Sequence, residues 1–349
     1  MEPFGTKEII VMKKKLLALA LAGVMTLSLA ACGGAKETPA PAEEKPAQTE
    51  TPAETPAAET YKIGICQLAP HPALDAATQG FIDALNEALP GQVEFDNQNA
   101  AGESATCATI VNGFVSADVD LIMANATPAL QAAVAATSDI PVLGTSVTEY
   151  GVALGIKDFN GTVGTNVSGT SDLAPLDQQA AMVTEWFPEA KTVGLLYCSA
   201  EANSQYQVDE MTKYLTDMGL TATPFAFTDT NDVASVAQAA CDASDVIYIP
   251  TDNTAASNTE AIANVVLPAK VPVVAGEEGI CAGCGAATLS ISYYDIGYAT
   301  GKMAARILTG EADVSTMPIE YAPQVTKKYN AANCEALGIT IPEGYEAMG

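Results

Sequence analysis

Between Tyr61 and Leu308 the chain alternates short apolar runs with amphipathic stretches, a pattern that restricts the fold more than any other feature. Lys62–Cys66, Val93–Phe95, Leu121–Ala124 and Val142–Leu143 read as strands. Between them Leu74–Leu89, Thr106–Ala117 and Pro128–Thr137 read as helices, the first with Leu74, Ala77, Phe81, Leu85 and Leu89 along one face. Strands that are apolar throughout must be covered on both sides, and intervening helices supply that cover. The expectation is a parallel sheet built from βαβ units.

A glycine-rich stretch without helical pattern, Gly151 to Gly169, interrupts the series, and then the same grammar resumes. Thr192–Tyr197, Thr221–Phe227, Val246–Ile249, Val271–Ala275 and Ala287–Ser290 follow as strands. Ser204–Met218, Val233–Cys241, Asn258–Pro268 and Asp295–Leu308 follow as helices. Gly219 stands where a helix C-cap is wanted. Two parallel-sheet blocks in tandem, each of a size to form its own lobe, predict an α/β protein of two Rossmann-like lobes.

The N-terminal segment speaks to location. Lys13-Lys14-Lys15, an apolar run from Leu16 to Leu29 and small residues before a cysteine have the form of a secretory signal over residues 1–31. Leu29-Ala30-Ala31-Cys32 resembles a bacterial lipobox, which implies acylation of Cys32 after cleavage and a membrane anchor on the extracytoplasmic face. The run is too short for a convincing membrane span. Met12, just before the lysines, makes a better start than Met1. Residues 32–60 are Ala, Pro, Glu and Thr with little else, a composition that cannot bury a core and predicts an extended leash.

Removing residues 1–31 takes away four lysines and two glutamates, which moves the net charge from −27 to −29 and leaves Arg306 as the single arginine. So acidic a surface repels phosphate backbones, and no basic patch compensates, so nucleic acid is excluded as a partner. One histidine, His71, cannot complete a zinc site with the only close cysteine pair, Cys281 and Cys284, so no metal is expected. That pair reads as a local disulfide or two free thiols. Cys66, Cys107, Cys198 and Cys241 read as small core residues.

In open α/β sheets ligands bind where strands end and helices begin. The loops at those positions are rich in hydrogen-bonding side chains: Gln67 and His71 after the first strand, Thr127 after the third, Thr145 and Ser146 after the fourth. In the second block they are Ser199, Asn203 and Ser204, then Asp252 and Asn253, then Glu277. Singly each is an ordinary helix cap. Six such loops at one edge of two sheets predict a shared cleft.

At these loops the chain resembles the extracytoplasmic substrate-binding proteins of ABC importers, in the branch with tryptophan- and phenylalanine-binding members. The carrying segments are Gln67 through Gly80, Ala126 through Ala129, Ser199 through Ser204, Pro250 through Thr254, Gly276 through Gly279 and Tyr293 through Gly297. Pro70 stands where the family pattern often has Glu, and Cys281 and Cys284 occupy a loop where no cysteines are expected. The resemblance implies the periplasmic-binding-protein-like type I fold, two lobes with parallel sheets joined by a hinge of three crossovers. Residues 61–146 plus 286–310 would form lobe 1, and 147–285 plus 311–349 lobe 2. It also implies a monomer without cofactor that hands its cargo to a permease and its ATPase.

A zwitterion held between such lobes needs an acidic partner, for which Asp252 is the first candidate and Glu277 the second. Tyr293, Tyr294, Pro70, Pro72 and Pro128 are the available apolar walls for an aromatic or large apolar amino acid. A sugar- or nucleoside-binding relative and a sensor ectodomain are the alternatives on the same scaffold. An enzyme is disfavoured: there is no phosphate loop of the GxxxxGK type, no GxSxG elbow, and no evident carboxylate to orient His71 against Cys66 or Ser146.

Overall fold

The structure is a computed structural model and describes residues 60–322 and 324–348. The signal segment, Cys32 and nearly all of the proline-rich leash lie outside the described residues. Two sheets organise the rest. The first contains β1 (Tyr61–Gln67), β2 (Val93–Asn99), β3 (Leu121–Asn125), β4 (Val142–Val147), β5 (Val167–Ser171) and β11 (Glu320–Tyr321), in the order β2-β1-β3-β4-β5-β11, all parallel. Helices α1 (Pro72–Ala88), α2 (Ser104–Ser116), α3 (Thr127–Ala136) and the short α4 (Tyr150–Leu154) connect successive strands.

The second sheet contains β6 (Thr192–Cys198), β7 (Thr221–Phe227), β8 (Val246–Ile249), β9 (Val273–Ala275), β10 (Ala287–Ser290), β12 (Thr326–Tyr329) and β13 (Glu346–Ala347), in the order β7-β6-β8-β9-β10-β12-β13. Only the β10–β12 pair is antiparallel. Its helices are α5 (Leu176–Trp186), α6 (Ala202–Asp217), α7 (Val233–Ala243), α8 (Asn253–Ala256), α9 (Thr259–Ala269), α10 (Glu278–Cys284) and α12 (Ala331–Leu337). A further helix, α11 (Tyr293–Leu308), returns to the first lobe and packs on α1.

The two blocks expected from the sequence are therefore present, but their boundaries differ. The glycine-rich stretch holds all but the first residue of α4 and the first three residues of β5, so the first lobe runs to residue 171. The strand at 287–290, expected in lobe 1, pairs with β9 and β12 in the second sheet. The chain re-enters the first lobe only at α11 and leaves it after β11, so three crossovers, at 172–175, at 291–292 and between β11 and β12, join the lobes.

β5, with the sequence VSGTS, has no apolar run because its neighbours demand small and hydroxylic side chains. A Cβ on Gly169 (φ +144°) would stand 2.0 Å from the Gly144 carbonyl oxygen. The Thr170 hydroxyl lies 3.1 Å from that of Thr145 and 2.9 Å from that of Thr300 on α11. All seven cysteines from Cys66 onward are free thiols and buried, those of the close pair on α10 included.

The α1–α11 crossing depends on missing side chains. A Cβ on Gly80 would lie 2.2 Å from the Tyr294 carbonyl oxygen, and one on Gly297 would lie 2.0 Å from that of Ala77. Backbone approaches this close admit no methyl group without separating the helices. Gly113 on α2, by contrast, faces open space. Gly297→Ala is therefore expected to destabilise the domain by about 1–3 kcal/mol. Gly113→Ala should stabilise it by roughly 0.5–1 kcal/mol through helix propensity. Urea unfolding of the two variants checks both signs.

Candidate functional site

The C-terminal ends of both sheets face each other across a small cavity of about 10 Å³, room for one water-sized group. The first lobe contributes His71, the N-cap of α1, together with Ser146 at the end of β4, and Tyr293 opens α11 beside them. Asp172, on the first crossover, forms part of the floor. The second lobe contributes Asn203, Thr251, Asp252, Asn253, Ala256 and Glu277. Larger clefts adjoin on both sides. One of about 440 Å³ shares Glu277 and Tyr293 with the cavity and is walled by Pro72, Ala73, Ala76, Ile291 and Tyr294. The other, of about 500 Å³, shares Asn253 and is walled by Leu68, Pro70 and Pro128.

Six of the eleven residues singled out in the sequence thus line one cavity: His71, Ser146, Asn203, Asp252, Asn253 and Glu277. The other five do not. Gln67 is spent inside lobe 1, donating to the Ala69 carbonyl and Asp75 and accepting from Thr78. Thr145 bonds Thr170, and the Ser199 hydroxyl donates outward from an exposed turn to the Phe227 carbonyl. Ser204 is buried behind Asp252, helping to hold its carboxylate in the charged form. Thr127 is buried at the start of α3 with an unpartnered hydroxyl, away from the cavity walls.

The hydrogen bonds around the cavity organise it. Glu201, which the sequence reading passed over, is the hub. Its Oε2 accepts from the Asn253 backbone N–H and side-chain amide (3.1 and 2.6 Å) and from the Asn203 amide (3.2 Å). Its Oε1 accepts from the Thr254 N–H and hydroxyl (2.9 and 2.8 Å). Because the Asn253 amide nitrogen is drawn to Glu201, its oxygen turns to the first lobe and accepts from His71 Nε2 at 3.3 Å. Burial lowers the pKa of His71, so the ring is neutral, and with the proton on Nε2 its Nδ1 is an acceptor without a partner.

Asp252 and Glu277, the two expected partners for a ligand ammonium, are both helix caps. Asp252 accepts from the Cys198 and Ala255 N–H groups at 2.6 and 2.8 Å, and Glu277 accepts from those of Gly279 and Ile280. Asp172 differs. Its Oδ2 accepts from the Tyr293 hydroxyl at 2.9 Å and Thr148 lies near, yet Oδ1 is buried with no hydrogen-bond donor. The signal that hid Asp172 is the one that hid β5: with no apolar run before it, the strand end it marks was invisible.

Burial raises Asp172 to about 6 and both Asp252 and Glu277 to about 7. A carboxyl whose folded pKa exceeds its unfolded value binds its proton more tightly when folded. Its contribution to stability is full below the unfolded pKa of about 4 and is lost as pH rises toward the folded value. The domain without ligand should therefore melt at a lower temperature at pH 8 than at pH 5, by at least about 2–4 °C. Glu277→Gln, neutral at both pH values, should narrow the difference. Differential scanning calorimetry at the two pH values is the check.

Two doubly wound lobes closing on a polar cavity through three crossovers define a hinged ligand-binding protein of the periplasmic-binding-protein-like type I fold. The chain belongs to the ABC transporter substrate-binding protein family, whose model matches residues 62–347. It is 34% identical over 310 residues to a tyrosine-binding protein of Clostridioides difficile, covering 88% of this chain and 87% of that one. A crystal structure of the ABC domain in complex with L-Trp from Streptococcus pneumoniae is 33% identical and superposes with a TM-score of 0.79, covering 83% of this chain and all of that one. A ligand-free, open substrate-binding protein with adhesive properties from Clostridium difficile is 37% identical. It superposes with a TM-score of 0.64, over 83% of this chain and 99% of that one. The family is one of extracytoplasmic binding proteins rather than enzymes, and no helix among the described residues is long and apolar enough to cross a membrane.

Proposed function

We infer that this chain captures an aromatic amino acid between its lobes and delivers it to the permease and ATPase of an ABC importer, held to the membrane by an acylated Cys32. One observation carries the ligand reading. Four buried polar atoms without partners, His71 Nδ1, Ser146 Oγ, Asp172 Oδ1 and Asn203 Oδ1, belong to residues that line the same interlobe cavity. Buried polar groups are normally satisfied, so such a cluster is what a polar ligand head would complete.

The tail has a place as well. Ala73, Ala76, Ile291 and the rings of Tyr293 and Tyr294 wall the adjoining cleft of about 440 Å³, which suits an apolar or aromatic side chain. The relatives named for tyrosine and solved with L-Trp support the same class of cargo. Superposition is better on the L-Trp complex than on the more identical open protein, which supports a closed arrangement of the lobes here and an open one for ligand entry. The sugar reading lacks such support. Trp186, the one tryptophan, is buried in lobe 2 against Tyr345 at 4.9 Å, and Arg306 pairs with Glu320 at 4.0 Å.

A thermal-shift screen of the mature chain against the amino acids, common sugars and nucleosides tests the cargo. Tyrosine, tryptophan or phenylalanine at 100-fold its dissociation constant should stabilise by about 2.7 kcal/mol. Stabilisation by a sugar or nucleoside and by no amino acid would overturn the assignment. For the anchor, Cys32→Ser should free the protein from membranes or leave an uncleaved precursor. Fractionation finding the variant cleaved and still membrane-bound would refute lipidation.

A further inference from the structure

We propose that the cavity between the lobes is an ammonium pocket, in which Asp172 Oδ1 provides the counter-charge for a primary amine and Tyr293 is the positioning residue that aims Asp172. The proposal rests on reading the cleft as an amino-acid site and adds which atoms recognise the amine.

Four carboxylates ring the cavity or support its walls, and only one has an oxygen to spare. Glu201 is committed to Asn203, Asn253 and Thr254, Asp252 to the N–H groups of Cys198 and Ala255, and Glu277 to those of Gly279 and Ile280. Asp172 is 4% exposed and has one oxygen fixed by the Tyr293 hydroxyl, while the other accepts nothing. Among the described residues, no lysine or arginine lines the cavity to neutralise it.

The unpartnered groups have matching polarity. Asp172 Oδ1 and Asn203 Oδ1 are acceptors only, the latter because the Asn203 amide nitrogen is bound to Glu201 and to the Thr251 carbonyl. His71 Nδ1 is an acceptor because Nε2 holds the proton. An NH₃⁺ group brings three donors and a charge. It is close in size to a water molecule, which is what about 10 Å³ admits. A carboxylate or a neutral hydroxyl would leave these acceptors facing like charge or short of donors. The tail of an amine lodged here would leave past Tyr293 into the 440 Å³ cleft, which shares that ring.

The test is a ratio. Calorimetry on the mature chain compares L-tyrosine and L-tryptophan with their desamino analogues, 3-(4-hydroxyphenyl)propionate and 3-(indol-3-yl)propionate. The unaltered protein should prefer the amino acid by roughly a hundredfold or more, and Asp172→Asn should bring that ratio close to one by weakening the amino acid alone. Tyr293→Phe should lower the ratio about tenfold, whatever its effect on packing, since packing acts on both ligands equally. An unchanged ratio in D172N would overturn the proposal while leaving amino-acid binding intact, and so would equal losses of both ligands. Failure of the unaltered protein to bind any amino acid would overturn the amino-acid reading and this assignment with it. Should D172N not fold, E277Q and D252N decide: the ratio kept in both supports Asp172, and its collapse in either removes it.

Discussion

Buried carboxylates neutralised by backbone N–H groups, not by cations, hold the interlobe face together. Parallel sheets send the N-termini of their helices to the ligand edge, and each terminus leaves donors that the helix cannot satisfy. In lobe 2, Asp252 and Glu277 take up such donors at α8 and α10, and Glu201 does the same for the loop that opens α8. Glu201 also ties that loop to the start of α6 through Asn203. Burying a charge is costly unless its hydrogen bonds are complete, and each hydrogen bond to such a charged group contributes about 1.5–3 kcal/mol. The site walls are consequently stiff where the carboxylates are committed.

That commitment also sets what the pocket can recognise. An acidic side chain in a cleft suggests a ligand cation, and from sequence Asp252 and Glu277 were the natural candidates. Capping consumes both. Selectivity for charge is left to the carboxylate at a place with no helix to cap, the crossover residue Asp172, whose backbone N–H is tied to Val147 and whose side chain is aimed by Tyr293. Recognition and capping thus fall to different carboxylates of one cluster.

How far the sequence was legible follows the same physics. Strands that are apolar on both faces, such as Leu121–Asn125 and Val246–Ile249, and helices with a clear buried stripe were readable because burial alone dictates their residues. β5 was not, since its burial is against glycine, Tyr150 and the threonines of β4 and α11, which select small hydroxylic residues that read as loop. Misplacing β5 and β10 moved the lobe boundaries, and with the end of β5 went Asp172. Six of the residues expected at the site line the cavity, because a polar residue after a readable strand is a visible position. Which of them are caps and which are free depends on hydrogen bonds between segments some fifty residues apart, such as Asn253 to Glu201, and no local pattern encodes these.

The hinge location of Asp172 links recognition to closure. Among the described residues, the side-chain hydrogen bonds that join the lobes are His71 to Asn253 and Thr148 to Thr251, each 3.3 Å long and between neutral groups. Bonds of that kind contribute about 1 kcal/mol each. A group bridging Asp172 and His71 on one side to Asn203 on the other would add charge-assisted bonds that exist only when the lobes meet. Differential affinity of this kind is what shifts a two-state equilibrium, and a ligand equally at home in the open form would shift nothing. Weak direct contacts between the lobes and unspent acceptors between them are therefore two aspects of one device: closure is left for the cargo to complete.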